Sequence, residues 1–203
     1  MDQSTRRIAR IAGGDSATRS DDRYGYGDIA LHWLTALLVV TQFSLAEIWG
    51  FLPRHSASVH FMQFAHVSLG MSLAAVLVMR LIWRVGFGRR LPHVGPRLMV
   101  LVANITHYML YGLLILVVSA GFGKIWGRGH DANFFGLFSI ASPFEVSAAW
   151  RPVFNTVHVW GAWAVICLAA AHAAAALFHH YGLRDGVLRR MLPLRRPRNP
   201  RPS

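Results

Sequence analysis

Four apolar runs alternate with shorter polar segments along the chain. Each run exceeds the roughly 20 residues that a helix needs to cross a bilayer; they cover residues 29–49, 60–83, 98–123 and 153–181. Formal charge inside them is confined to Glu47 and Arg80, near the far ends of the first two runs. Core helices of soluble proteins seldom combine this length with so little charge. The pattern therefore predicts an all-α integral membrane protein built as a four-helix bundle.

The polar segments divide the chain into three predicted parts. Residues 1–28 form a basic N-terminal tail, residues 29–183 the transmembrane domain, and residues 184–203 a basic tail rich in Pro and Arg. Residues 1–25 and 193–203 are expected to be disordered, because their Gly, Ser, Pro and Arg cannot build an apolar core. The first 28 residues also lack the apolar run and cleavage site of a signal peptide.

The composition is typical of a membrane protein and excludes several kinds of cysteine-based site. Of 203 residues, 54% are apolar and 15% are charged, whereas soluble domains contain roughly 25% charged residues. A single cysteine, Cys167, excludes a disulfide framework, an iron–sulfur cluster and any CxxC zinc or redox site.

The basic residues, which give a net charge of +12, are distributed unevenly. Counting Arg80 at the end of the second run, seventeen arginines fall in the two tails and around the connection between the second and third runs. The other connections carry Arg54, Lys124, Arg128 and Arg151. The positive-inside rule then places both termini in the cytoplasm. Arginine-rich tails also occur in nucleic-acid-binding proteins. Beside membrane spans they contact anionic lipid, so we expect membrane lipid and no nucleic acid as a partner.

Histidines are the main candidates for chemistry. Seven lie within the predicted spans: His32, His66, His107, His158, His172, His179 and His180. Ionisable side chains are costly inside a membrane and usually mark a functional site. The alternative is that a histidine only forms a hydrogen bond between helices or lies at headgroup level.

Four of these histidines fall into two pairs by depth. His158 and His172 are 14 residues apart, which puts them about 40° apart around the fourth helix and about 21 Å apart along it. Because successive helices run in opposite directions, His32 falls at the depth of His172, and His66 at the depth of His158. The spacing therefore predicts one histidine pair near each face of the membrane.

Paired imidazoles on facing helices suit the two axial positions of a haem iron. A six-coordinate iron has no open position, so it carries electrons and does not bind oxygen. Zinc or copper needs three or four ligands close together, which two-histidine levels do not supply. Because the chain has no CxxCH motif, any haem is non-covalent and b-type.

Five segments resemble the bacterial cytochrome b561 family: IALHWL, AHVSLGMSL, ITHYMLYGLL, VHVWGAW and AHAAAALFHHYGLRDGVLRRMLP. The resemblance spans residues 29–193 and implies a multi-pass, di-haem cytochrome of the bacterial inner membrane. It implies that His32 pairs with His172, and His66 with His158, as axial ligands of two b haems. It further implies an oxidoreductase with superoxide as electron donor and ubiquinone as acceptor.

A quinone site is predicted at the cytoplasmic level. His179 lies two turns beyond His172 on nearly the same face of the helix, and a histidine can bond to a quinone oxygen and titrate near neutral pH. His107 and Trp33 lie at similar depth and are candidate contacts for quinone or a haem propionate. The alternatives are an interfacial anchor for His179 and a plain interhelical hydrogen bond for His107.

The donor side is predicted at the outer loop. Lys124, Arg128 and Arg151 flank this loop and are candidates to attract a small anionic donor such as superoxide. Ordinary solvation of a polar loop is the alternative.

Two other functions compete with a self-contained enzyme. The chain is alternatively a cytochrome b subunit that docks to a separate dehydrogenase or hydrogenase through its basic tails or aromatic outer loop. The aromatic residues of that loop are Phe134, Phe135, Phe138, Phe144 and Trp150. A proton-relay transporter is disfavoured, because Glu47 is the only acid within a span.

Overall fold

The computed structural model describes residues 24–87 and 96–192. Within them lie four long helices: α1 (Tyr26–Trp49), α2 (Ala57–Gly86), α3 (Arg97–Trp126) and α4 (Arg151–Phe178). Each is long and apolar enough to cross a membrane. The prediction of an all-α membrane bundle with four spans is therefore confirmed. The segments predicted to be disordered lie outside the described residues, apart from Tyr24 and Gly25.

The four helices pack as two helical hairpins. α1 packs closely on α2, and α3 on α4, whereas the two helical hairpins approach each other at far fewer positions. One small core joins α1 to α2 through Leu31, Leu38 and Leu73. A second small core of Leu77, Leu114 and Val165 joins α2 to α3 and α4. Many other large apolar side chains point outward, as Phe61 and Trp160 do at 70% and 71% exposure, and contact with lipid requires such a surface. Beyond the second core the two helical hairpins meet at few positions, which leaves a thinly packed gap between them.

The bundle has two distinct ends. The start of α1, the end of α2, the start of α3 and the end of α4 lie together, and we call this the terminal end. The opposite end holds the α1–α2 connection and the loop between α3 and α4, and we call it the loop end. This arrangement arises because successive helices of the bundle run in opposite directions.

The loop between α3 and α4 is anchored to α2. It contains a β-hairpin of β1 (Ala132–Phe134) and β2 (Phe138–Ile140), turning through Gly136 at φ 75°. The fully buried Ser68 hydroxyl donates to the Asn133 carbonyl (3.2 Å) and accepts the Phe135 N–H (2.9 Å). The loop is thereby fixed to the helix that carries His66.

Replacing Ser68 by Ala is expected to lower the free energy of unfolding by about 1 kcal/mol, because the part-buried Asn133 carbonyl and Phe135 N–H lose their partner. Thermal unfolding of the detergent-solubilised protein, followed by circular dichroism, measures the change. Ser72→Ala is the matched control, since the Ser72 hydroxyl only donates to the Ser68 carbonyl within α2. Equal stability of the two variants would contradict the anchoring role of Ser68.

The chain turns back on itself after α4. A π-helical turn (His179–Leu183) is followed by a short 3-10 helix (Leu188–Met191). The Trp33 indole N–H donates to the Met191 carbonyl at 2.8 Å, and the Tyr24 N–H donates to the Arg190 carbonyl at 3.4 Å. Residues 184–192, the first part of the predicted C-terminal tail, are thus folded against the start of α1.

Candidate functional site

The structure brings four of the predicted histidines together in two pairs. At the terminal end, the ring centroids of His32 and His172 are 6.4 Å apart. At the loop end, those of His66 and His158 are 6.0 Å apart. Each pair joins a helix of the first helical hairpin to α4, across the thinly packed gap. These are the pairs that helical depth predicts.

The ring separations fit a metal ion between the two imidazoles of each pair. With metal–nitrogen bonds of about 2 Å and a ring centre about 1.1 Å from its nitrogen, two imidazoles on opposite sides of one metal ion would have centroids about 6.2 Å apart. A direct N–H···N hydrogen bond of about 3 Å would bring the centroids to about 5.2 Å. The observed 6.4 and 6.0 Å match the first arrangement and not the second.

The alternative of a multi-ligand metal site is not supported. No cluster of three or more His, Cys, Asp or Glu side chains suited to a metal ion occurs in residues 24–87 and 96–192. Two opposed imidazoles across a gap are the donor set of an axially ligated porphyrin iron. The residues present therefore fit haem better than zinc or copper.

At the loop end, both histidines are oriented by backbone carbonyls. His66 Nδ1 lies 3.2 Å from the Gln42 carbonyl oxygen, and His158 Nδ1 lies 2.9 Å from the Val117 carbonyl oxygen. A carbonyl only accepts, so each Nδ1 carries the proton, and each Nε2 keeps its lone pair for a metal. The Gln42 side-chain amide also donates to the His66 carbonyl at 2.9 Å. Gln42 therefore holds His66 through both its backbone and its side chain.

Close helix packing completes the loop-end pair. A Cβ atom added at Gly121 on α3 would lie only 3.1 Å from His158 Cε1. A larger residue at position 121 would therefore push the His158 ring by a few tenths of an ångström. On the other side, the Trp49 ring centroid lies 5.1 Å from that of His66.

At the terminal end, the hydrogen-bond partner of His32 Nδ1 is a cation and not a backbone carbonyl. Arg80 Nη2 donates to His32 Nδ1 at 3.1 Å, and the same guanidinium lies 5.1 Å from the Tyr111 ring centroid. The His107 ring centroid lies 5.3 Å from that of His172. The terminal-end pair is thus surrounded by side chains from all four helices.

The predicted quinone contacts occupy two different positions. His107 lies beside His172, and Trp33 lies beside His32 with ring centroids 5.5 Å apart. The Trp33 indole N–H already donates to the Met191 carbonyl, so Trp33 offers a ring face and not a polar atom. His179 lies further toward the end of the bundle, where its Nδ1 bonds to the Asp185 carboxylate.

Asp185 holds His179 in one orientation. One carboxylate oxygen meets His179 Nδ1, and the other accepts the Val187 N–H at 3.1 Å. Burial raises the pKa of the Asp185 carboxyl, but the hydrogen bonds from His179 and the Val187 amide outweigh burial and bring that pKa below its usual value. An ionised Asp185 accepts a hydrogen bond from the His179 Nδ1–H, which leaves Nε2 free to bond to a ligand.

The three predicted donor-side cations lie at the loop end. Lys124 is in the last turn of α3, Arg128 follows that helix, and Arg151 begins α4. In the described ranges, none of the three forms an ion pair with a carboxylate. Their charge is therefore available to a dissolved anion.

Sequence reasoning did not identify Gln42, Gly121 and Asp185 as parts of these sites. Gln42 stands out as the one amide side chain in the first apolar run, and Asp185 as the acid that closes the HHYGLRD segment. The Gln42 signal was available, since an isolated polar group in an apolar run usually has a partner. Nothing in the sequence singled out Gly121 among the glycines of the spans.

The chain matches a known protein family over most of its length. The family model of prokaryotic cytochrome b561 matches residues 23–194. The chain is 32% identical over 179 residues to cytochrome b561 homolog 2 of Escherichia coli K12, covering 87% of this chain and 95% of that relative. It is 28% identical over 177 residues to a protein of Yersinia pestis described as probable superoxide oxidase CybB, covering 86% of this chain and 98% of that one.

Proposed function

Because the chain belongs to the prokaryotic cytochrome b561 family, we propose that it carries two b haems and passes electrons from periplasmic superoxide to ubiquinone. Members of this family are membrane electron-transfer proteins that bind haem b. The observation that carries the proposal is the pair of histidine couples, with ring centroids 6.4 and 6.0 Å apart at opposite ends of one bundle.

The proposed axial ligands are His32 with His172 and His66 with His158. When bound, each haem supplies an iron that takes up and releases one electron. The Gln42 and Val117 carbonyls fix the Nδ1 tautomer of the loop-end ligands, and Arg80 adjoins His32. The macrocycles would lie at the two ends of the space between the helical hairpins, on either side of the core formed by Leu77, Leu114 and Val165.

Charge and relatedness support superoxide as the donor. The excess of arginines at the terminal end favours a cytoplasmic position for that end, which puts the loop end in the periplasm. There Lys124, Arg128 and Arg151 lie without carboxylate partners in the described part of the chain. Such uncompensated cations attract a small anion and speed its arrival. The Yersinia pestis relative, described as a probable superoxide oxidase, adds independent support.

The quinone is proposed to bind at the terminal end. Asp185 holds His179 Nδ1, which leaves Nε2 for a quinone oxygen, and the His107 ring centroid lies 5.3 Å from that of His172. Reduction of a quinone consumes protons, so a titratable group at the interface suits this step.

Purified protein in detergent tests the proposal. We expect superoxide to reduce the haems, as measured by absorbance in the visible spectrum, and added ubiquinone to reoxidise them within the same sample. Superoxide dismutase, added beforehand, is the control and should abolish the reduction. A protein that superoxide fails to reduce, or that quinone fails to reoxidise, would contradict the proposal.

An electron-relay subunit is the second candidate. The outer loop exposes large aromatic side chains, including Phe138 at 53%, Phe144 at 63% and Trp150 at 56% exposure. Such residues are typical of protein interfaces. Reduction by a co-purifying dehydrogenase or hydrogenase, combined with no reaction with superoxide, would favour this candidate.

A further inference from the structure

The two histidine pairs differ in what faces their Nδ1 atoms. At the loop end both Nδ1 atoms face backbone carbonyls, at 3.2 and 2.9 Å. At the terminal end His32 Nδ1 faces the guanidinium of Arg80 at 3.1 Å. The rest of the ligand set is the same, with two imidazoles in each pair. The groups that face the Nδ1 atoms are therefore a local cause for a difference in reduction potential between the two sites.

Carbonyl acceptors lower the reduction potential of a metal held by the same imidazole. An Nδ1–H that donates to a carbonyl makes the ring a stronger electron donor through Nε2. Stronger donation stabilises the oxidised, more positively charged metal. The His66 and His158 pair, with two such bonds, is therefore the site that gives up an electron more readily.

A nearby cation acts in the opposite direction. The guanidinium of Arg80 is charged at every physiological pH, and in the described ranges no carboxylate lies within ion-pair distance of it. Positive charge close to a metal favours the reduced state, which carries one positive charge less. Asp28, one turn before His32 on α1, lessens this effect without forming an ion pair with Arg80.

The charge of Arg80 remains in the site even if its hydrogen bond changes. A guanidinium has donors only, so it can bond to His32 Nδ1 only while that nitrogen lacks a proton. With Nε2 on a metal and a proton on Nδ1, this hydrogen bond would not form. The guanidinium also lies over the Tyr111 ring, 5.1 Å from its centroid, and this contact would keep its charge beside the His32 and His172 pair.

We propose that Arg80 raises the reduction potential of the haem held by His32 and His172 above that of the haem held by His66 and His158. With both haems bound, this difference in potential would favour the transfer of one electron from the loop-end site to the terminal-end site. This inference rests on the proposed di-haem function. Arg80 acts through its charge and is a tuning residue, not a ligand.

The effect is confined to one end. Arg80 and His66 are 14 residues apart on α2, a distance of about 21 Å along the helix. Lys124 is the corresponding cation at the loop end, and its charge reaches His66 and His158. There the two Nδ1–H bonds to backbone carbonyls act against it. Arg80 should therefore shift one potential and leave the other nearly unchanged.

Spectroelectrochemical titration of Arg80→Gln tests the inference. In the parent we expect two midpoint potentials, and in Arg80→Gln a fall in the higher one only. The equilibrium constant for an electron to occupy the terminal-end haem is expected to fall at least about tenfold. Arg80→Lys, which keeps the charge, should restore most of the difference. Lys124→Gln is the matched control and should leave the higher potential in place.

Single-haem variants assign the potentials to the ends. Arg80→Gln should lower the potential of the haem that remains in His66→Ala, and have little effect on the haem that remains in His172→Ala. Two haems with potentials that Arg80→Gln does not move would overturn the inference and leave the proposed function intact. A protein with no haem, or with one, would overturn both.

Discussion

Replacement of His66 or His158 by Ala is expected to halve the haem content of the purified protein, with the loop-end haem lost and the other retained. Each variant removes one of two axial ligands, and the opposite imidazole alone, across a thinly packed gap, cannot hold the macrocycle in a six-coordinate state. Replacement of His32 or His172 should remove the terminal-end haem by the same reasoning. Haem per chain, measured from the pyridine haemochrome spectrum and the protein concentration, gives the result directly.

A histidine outside the pairs supplies the control for these variants. His130 is exposed in the loop after α3, and His130→Ala should keep two haems per chain. Where an alanine variant fails to accumulate, the corresponding glycine variant with imidazole added during growth should recover haem, because free imidazole fills the vacated position. Full haem content in all four ligand variants would show that the ligand assignment is wrong.

His179→Phe is expected to slow reoxidation by ubiquinone about a hundredfold or more, the usual contribution of a positioned acid–base group. Both haems should remain, and superoxide should reduce them at the parent rate, because His179 is seven residues beyond His172 and outside both pairs. Stopped-flow absorbance of pre-reduced protein mixed with ubiquinone measures the effect.

Asp185 provides a second variant on the same site. Asp185→Asn removes the carboxylate that meets His179 Nδ1 but keeps the histidine, so reoxidation should slow less than in His179→Phe. His180→Phe is the neighbouring control, since its ring packs against Tyr181 with centroids 4.8 Å apart. Unchanged reoxidation in His179→Phe, with slower reoxidation in Lys124→Ala, would move the quinone site to the loop end.

The helices and the histidine pairs were predictable because both follow from simple periodicity. An apolar run of more than 20 residues has few alternatives to a membrane helix. Fixed rise and rotation per residue then determine which histidines share a depth, and the structure has His32 near His172 and His66 near His158. Neither inference required knowledge of side-chain contacts between helices.

The hydrogen-bond partners of the histidine rings were not predictable, because they depend on contacts between helices. Every residue has a carbonyl, so nothing in the sequence distinguishes those of Gln42 and Val117 from their neighbours. The choice depends on the rotation of α1 and α3 about their axes, which is set by contacts such as that between Gly121 and His158. The β-hairpin after α3 was not predicted, because strands of three residues are too short to show a recognisable alternation of apolar and polar residues.

Both histidine pairs take their second member from α4, the last of the four helices to leave the ribosome. α1 and α2 enter the membrane with His32 and His66, before the partner of either has been synthesised. Under the proposed ligand assignment, a chain arrested before α4 contains two half-sites and holds neither haem. Cofactor loading is therefore a late step of biogenesis, so interrupted translation yields no half-loaded cytochrome able to pass electrons to the wrong acceptor.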